Sequence, residues 1–236
     1  RRQRQMCIRD SKATAPDMKN TGDEYLDKQQ LMDIQVLSTL GLTKDDIKAL
    51  GAQNNIERAV GAYCIDAWAG DLVAKAYSIT DGMNLLTVTS GRMPESPDEC
   101  IVDKNLLEKM KISVGDSITI DPSDDYEDCL THKNFTIVGT AVSPYYISVE
   151  RGSASIGSGN VRAYVYLPEG AFDLDYYTVA YAKVKGAQEL TAFTDEYDDY
   201  IDDVIDSLKD FGDRRAKLRY DDIIDEAQGK IDDAQK

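Results

Sequence analysis

One histidine, His132, is all that this 236-residue chain offers for imidazole chemistry, and it sits in a polar stretch between Thr131 and Lys133. A histidine-dependent triad needs a nucleophile beside a base and an orienting group, and no such arrangement is suggested. Cysteine is also scarce: Cys7, Cys64, Cys100 and Cys129 include no Cys-x-x-Cys pair, so a structural zinc site lacks its ligand spacing. No apolar run approaches the roughly 18 residues that cross a bilayer. Basic residues are few, 27 against 43 acidic, for a formal net charge of -16. That balance argues against a nucleic-acid surface, which needs Lys and Arg to replace counterions, and against docking on anionic headgroups.

What remains is an ordinary globular composition, 42% hydrophobic and 30% charged, long enough for one large domain or two small ones. From position 195 onward fifteen acidic residues face seven basic ones, which accounts for half of the net charge. The carboxylate pairs Asp198-Asp199 and Asp202-Asp203 could in principle serve a glycosidase. On an amphipathic helix, however, they point away from the apolar stripe into water, and a solvated face is the better reading. Trp68 and the 14 tyrosines fit half-buried strands better than a sugar-stacking platform.

Along the chain, residues 31–39 alternate as a strand, and Thr43 caps a short helix reaching Leu50, with Asp45 and Asp46 in its first turn. Residues 56–68 and 72–79, split by Gly70-Asp71, read as a hairpin. Gly91 with Pro94 and Pro97 makes a surface turn before the apolar strand Cys100-Ile101-Val102. Residues 103–110 make a short helix, and residues 117–120, 135–138, 161–167 and 176–184 make further strands. The acidic loop 121–128 lacks the ligand order, central Gly and final Glu of an EF-hand. The glycine-rich stretch 152–160 lacks a Gly-Lys-Ser/Thr ending and a following helix, so it reads as a connection and not a phosphate loop.

The period changes beyond Ala192. Tyr197, Ile201, Val204, Leu208 and Phe211 form one helical stripe, which Gly212 is expected to end. Residues 214–220 then read as an extended link or edge strand, with Asp221-Asp222 opening a second helix. A stripe at Tyr220, Ile224, Ala227, Ile231 and Ala234 gives about two heptads, still in register where the sequence stops. Together these elements predict an α+β fold with a mixed β-sheet core, short helices and a C-terminal amphipathic helix leading into a truncated coiled coil.

The N-terminus is of another kind. Residues 5–11 back-translate to the end of a common transposase sequencing adapter, so residues 1–11 read as adapter-derived and are set aside. Cys64 then falls in an alternating run and reads as a small buried apolar residue. A Cys100–Cys129 disulfide is open to a protein outside the cell, although the odd count left after removing Cys7 weakens an obligatory framework. Residues 12–30, with Pro16, Gly22 and mixed charges, read as a linker.

Several blocks carry a resemblance when taken in order. Leu31 to Thr43, Gly91-Arg92 leading to Cys100-Ile101-Val102-Asp103, Val114-Gly115-Asp116, Phe135-Thr136-Ile137-Val138-Gly139, Ser143 to Gly152 and Asp175-Tyr176-Tyr177-Thr178 are the relevant stretches. Their sequence resembles the extracytoplasmic MacB-like core domain of MacB-like and FtsX-like ABC transporter permeases of Gram-positive type. The resemblance implies a porter-like and a second β-rich subdomain across residues 31–220. It further implies a linker from a missing first membrane helix over residues 12–30 and the start of a coiled-coil helix at 221–236. By the same resemblance the domain lies on the extracellular side of the plasma membrane and is no enzyme. It would work with a cytoplasmic ABC ATPase subunit and a second permease copy or paired permease. No catalytic, cofactor-binding or metal residue is carried over, because the matching blocks are structural positions. Two other readings compete: a secreted or surface-anchored interaction module with a helical stalk, and an extracellular carboxylate hydrolase using Asp198 and Asp202.

Overall fold

Apolar residues at every second position give a strand one face to bury, because alternate side chains must find the same interior. The computed structural model describes residues 16–146 and 152–234, so the adapter-like residues 1–11 and Cys7 lie outside the described residues. Six strands close on themselves: β3 (Cys64–Ala69), β4 (Leu72–Ser78), β6 (Glu99–Val102), β7 (Ser117–Pro122), β8 (Asn134–Val142) and β9 (Ala163–Leu167). The ring runs β8-β6-β9-β4-β3-β7 and returns to β8, with β6–β8 and β4–β9 parallel and the other pairs antiparallel. The interior is filled by the alanines 67, 69, 74, 76 and 163 on one wall and by Val102, Ile118, Ile120, Phe135 and Ile137 on the other. Small against large is how a narrow barrel accommodates its contents. Leu106, from α3 (Lys104–Met110), is buried in the same core.

An additional strand, β5 (Thr87–Gly91), extends the ring by pairing with the second half of β8. Gly91, at φ 71°, ends it where a Cβ would come within 2.2 Å of the Val138 carbonyl oxygen, so only glycine passes. The turn that follows is braced by a bidentate Arg92–Glu99 pair, with Arg92 Nη1 donating to Glu99 at 2.7 Å.

The second lobe is a three-stranded antiparallel sheet in which β10 (Tyr177–Val184) lies between β1 (Ile34–Leu42) and β2 (Ile56–Ala62). One face of β10, Ala180, Ala182 and Val184, packs on α2 (Lys44–Gly51) and α4 (Asp195–Ser207) through Leu50, Ile201 and Val204. The other face, Val179 and Tyr181, packs on the outside of the barrel. The fold is α+β, with one mixed sheet, one antiparallel sheet and short helices.

Several local expectations hold. Thr43 caps α2 through a reciprocal box with Asp46, Asp103 caps α3, and Gly70 turns the β3–β4 hairpin. Others need correction. Residues 56–68 are not one strand, because the chain leaves the small sheet at Tyr63 and enters the barrel as β3. Within residues 12–30, read as a linker, Pro16–Lys28 form the helix α1, which leaves a connecting role open. Gly212 does not end a helix: α4 stops at Ser207, and α5 (Lys209–Ala234) begins two residues on and runs through it. Residues 214–220 are therefore neither link nor edge strand, and Asp221-Asp222 lies within the helix. Arg215 and Arg219, one turn apart, explain this, since each reaches the small sheet's lobe and keeps the helix in phase.

Candidate functional site

The two lobes are joined where polar groups replace the missing ladder. The Ser78 N–H donates to the Tyr63 carbonyl at 2.9 Å, and Ser78 Oγ accepts from the Tyr63 N–H at 2.9 Å. Thr178 Oγ1, on β10, accepts from the Cys64 N–H at 2.7 Å and donates to the Cys64 carbonyl at 3.2 Å. Without these side chains the strand crossing would bury unsatisfied backbone groups.

Between the lobes lies a layer of tyrosines. Tyr77 stacks on Tyr145 and on Tyr166, with ring centroids 5.4 and 5.2 Å apart, while Tyr146 stacks on Tyr164 at 4.8 Å. Burial pushes the hydroxyls of Tyr77, Tyr145, Tyr166 and Tyr181 well above their ordinary pKa, so they stay neutral. Three of these four are paired. Tyr77 meets the Tyr146 hydroxyl at 2.6 Å, Tyr166 meets Ser143 Oγ at 2.5 Å, and Tyr145 accepts from Asn84 Nδ2 at 2.8 Å. The fourth, Tyr181, is only 2% exposed and makes no hydrogen bond of ordinary geometry, although the Tyr145 hydroxyl lies near enough to influence it. A cleft of about 280 Å³ opens in this layer.

One wall of the cleft is the segment 79–86, which is tied to the end of α1. The Asn84 and Leu85 N–H groups donate to the carbonyls of Gln30 and Gln29, and Asn84 Oδ1 accepts from Met32 N at 2.9 Å. Arg58 braces the segment from the other side by donating to the carbonyls of Asp81 and Gly82. Gly82, at φ 65°, lies so close that a Cβ would stand 2.2 Å from Arg58 Nη1.

The helices root nearby. Asp33 receives Lys183 Nζ at 3.2 Å, the Tyr197 hydroxyl at 2.7 Å and the Val184 N–H at 2.8 Å, which joins β1, β10 and α4 in one buried node. Asp23 Oδ1 of α1 accepts from the Ala192 N–H at 2.7 Å just ahead of α4. Asp46 is held by Thr43 and by Arg215 Nε at 2.6 Å. Burial alone would raise its pKa, but the Thr43 and Arg215 bonds outweigh it and leave the carboxyl below its ordinary range.

Of the carboxylates considered from sequence, Asp198 and Asp202 lie half-buried one turn apart on α4. Asp199 and Asp203 face solvent on α4, away from buried Ile201 and Val204. His132 lies against Phe135 and shares a hydrogen bond with Thr131. Cys64, Cys100 and Cys129 are free, so the Cys100–Cys129 bridge is not formed. Burial raises Cys100 to about 12 and Cys129 to about 11, which keeps both as inert thiols. In the glycine-rich stretch, Ser155 spends its N–H and hydroxyl on Asp66, so part of what could cradle a phosphate already serves a carboxylate. Among the described residues no group of three His, Cys, Asp or Glu side chains could hold a metal, and no helix is long and apolar enough to cross a membrane. The tyrosine layer was the feature that sequence reasoning did not assemble. Its signal was the excess of tyrosine over phenylalanine, 14 to 4, with Tyr164 and Tyr166 on one strand face.

No family model matches the chain, and no curated protein matches it significantly. Among solved structures it is similar to the extracellular domain of the noncanonic ABC-type transporter YknZ from Gram-positive bacteria. There the identity is 16% over 70% of this chain and 85% of that one, with a TM-score of 0.40. It is also similar to the periplasmic region of MacB from Actinobacillus actinomycetemcomitans, at 12% identity over 75% of this chain and 76% of that one, with a TM-score of 0.38.

Proposed function

We propose that this chain is the extracytoplasmic domain of an ABC transporter permease, held on the extracellular side of the plasma membrane, and that it passes an ATPase-driven movement to a substrate or partner outside. The observation that carries the reading is that α1, α4 and α5 are all rooted on the lobe of the three-stranded sheet. Asp23 joins α1 to the residues before α4, Asp33 joins β1 to α4, and Arg215 and Arg219 clamp α5 to Asp46 and to the Leu40 carbonyl. The order of sequence blocks from Leu31 to Thr178 supports the same reading. ATP hydrolysis belongs in this scheme to a separate cytoplasmic subunit or domain, with a second permease copy or a paired permease alongside.

Transmission would proceed through rigid bodies. A displacement of α1 reaches β1 through Met32 and Asp33, and β1 carries it into β10 through its antiparallel ladder. Packed elements of this kind move as units and do not deform continuously. A surface-anchored interaction module with a helical stalk is favoured by one feature only, the exposed side chains Tyr220, Ile224 and Ile231 on α5.

The test is a reducible thiol crosslink between cysteines placed at position 22, where an added Cβ would stand 3.5 Å from the Phe193 ring, and at position 193, in the full-length membrane protein reconstituted with its ATPase. Crosslinking is expected to abolish substrate-dependent stimulation of ATP hydrolysis and reduction to restore it. Unchanged stimulation with the crosslink in place would overturn the transmission, and a complete reading frame without spanning segments would overturn the permease assignment.

A further inference from the structure

The tyrosine-lined cleft has a chemistry of its own that the transmitting role does not use. Its walls are the rings of Tyr77, Tyr145, Tyr166 and Tyr181, together with Ile79, Leu86 and Met93. Ser78, Thr80 and Asn84 supply polar edges, and among the described residues no charged side chain lines it. On a molecule of net charge -16 a recess whose described walls are neutral stands out, since an ion entering it would lose its hydration without a counter-charge from those walls. A volume of about 280 Å³ lies just below the range of pockets that hold drug-sized ligands, roughly 300–1,000 Å³. It suits one ring or two fused rings and excludes a helix or a peptide strand.

The hydroxyl pattern narrows the occupant further. Tyr77, Tyr145 and Tyr166 have their hydrogen bonds supplied by Tyr146, Asn84 and Ser143. Tyr181 lines the same cleft, is 2% exposed, and makes no hydrogen bond of ordinary geometry, the nearby Tyr145 hydroxyl being engaged with Asn84 Nδ2 and Met32 Sδ. A buried hydroxyl without a partner is costly, and a native structure that keeps one calls for a partner from elsewhere. Stacked rings and the Met93 thioether in the walls favour a flat aromatic face over a flexible alkyl chain.

We propose that the cleft binds a small neutral aromatic group bearing one hydrogen-bonding atom, of indole or phenol type, with the ring against the tyrosine layer and its polar atom on the Tyr181 hydroxyl. Occupancy presses on segment 79–86, and Asn84 and Leu85 are bonded to Gln30, Gln29 and Met32 at the foot of α1. That consequence for α1 rests on the transmitting role proposed above; the binding itself does not.

The experiment titrates indole, toluene and cyclohexanol into the 236-residue chain and follows amide NMR signals. Indole is expected to shift the amides of Asn84, Leu85 and Tyr181 saturably and to bind more tightly than cyclohexanol. Tyr181→Phe, which removes the hydroxyl and keeps the ring, should weaken indole roughly three- to tenfold and leave toluene unchanged. Leu86→Trp should fill the recess and abolish binding of both aromatic probes. Met93→Phe, a smaller change at another wall, guards against a folding defect and should weaken both. Absence of saturable shifts with indole, equal indole affinity in Tyr181→Phe, retained binding in a folded Leu86→Trp protein, or preference for cyclohexanol would each overturn the proposal. Binding that persists while the Gly22–Phe193 crosslink leaves ATPase stimulation intact would keep this site and remove only the transmitting role.

Discussion

Asp33 takes three hydrogen bonds in a place almost sealed from water, its side chain 4% and that of Lys183 8% exposed. Removing one member of such a pair strands the other charge in a poor solvent. Lys183→Met is expected to destabilise the chain by about 3–5 kcal/mol in urea unfolding, with part of the loss recovered in Lys183→Met combined with Asp33→Leu. Glu99 makes a different prediction, because its side chain is 15% exposed and its state is set chiefly by one guanidinium. The Arg92 hydrogen bonds, helped by the Glu95 N–H, hold its carboxyl down to about 2. A carboxyl depressed on folding adds stability above its ordinary value, and that contribution fades as the pH falls toward the folded value. Carboxyl NMR should therefore find Glu99 ionised through the normal glutamate range, and Arg92→Ala should return its titration to that range.

At the scale of elements, the ends of helices give the cleanest tests. Thr43→Ala removes a side-chain cap whose partner, Asp46, also caps in return, and should cost about 0.5–2 kcal/mol by denaturant titration. Gly212→Ala should instead stabilise by roughly 0.5–1 kcal/mol, since the glycine lies inside α5 and nothing stands within 4 Å of an added Cβ. A helix ending at Gly212 would give the opposite sign. The difference between these two sites explains what could be read from sequence. The Thr43 cap and the Gly70-Asp71 turn are each written in a few consecutive residues, and both were legible, although the return bond from Asp46 was not. Continuation through Gly212 depends on Arg215 meeting Asp46, 169 positions earlier, and a local pattern carries no trace of that. The break at Tyr63 was hidden for a related reason. Apolar alternation runs on while the chain passes from one sheet to another, and only Ser78 and Thr178, distant in sequence, mark the crossing.

Across the whole molecule, acid should act on attachments before it acts on the barrel. Asp46 and Asp66 are partly buried, which would raise their pKa values, but hydrogen bonds and a nearby cation leave both below the ordinary carboxylate value. Stability from such groups is complete above about pH 5 and is lost as the pH drops through about 4 and below. Asp46 holds α5 through Arg215, and Asp66 holds the stretch around Ser155. Hydrogen exchange, corrected for intrinsic rates, is expected to show α5 amides losing protection between about pH 5 and about pH 3 while β8 and β9 keep theirs. Simultaneous loss in helix and barrel would refute that order. The barrel itself was foreseen only as a strand-rich core, because closure rests on β7 meeting β8 through Ser117–Thr136 and Ile118–Phe135, a pairing that no single segment announces. The tyrosine layer was unreadable for the same cause: its rings come from β4, β9, β10 and the 143–146 turn.

Strand β10 bears Tyr181 and Lys183 two positions apart, one at the cleft and the other at the node that fixes α4. Their Cα atoms are separated by about 7 Å of backbone, and ladders on both edges stiffen that span. The strand is thus a short crossbeam that ties the wall of the cleft to the seat of α4 through two residues of backbone.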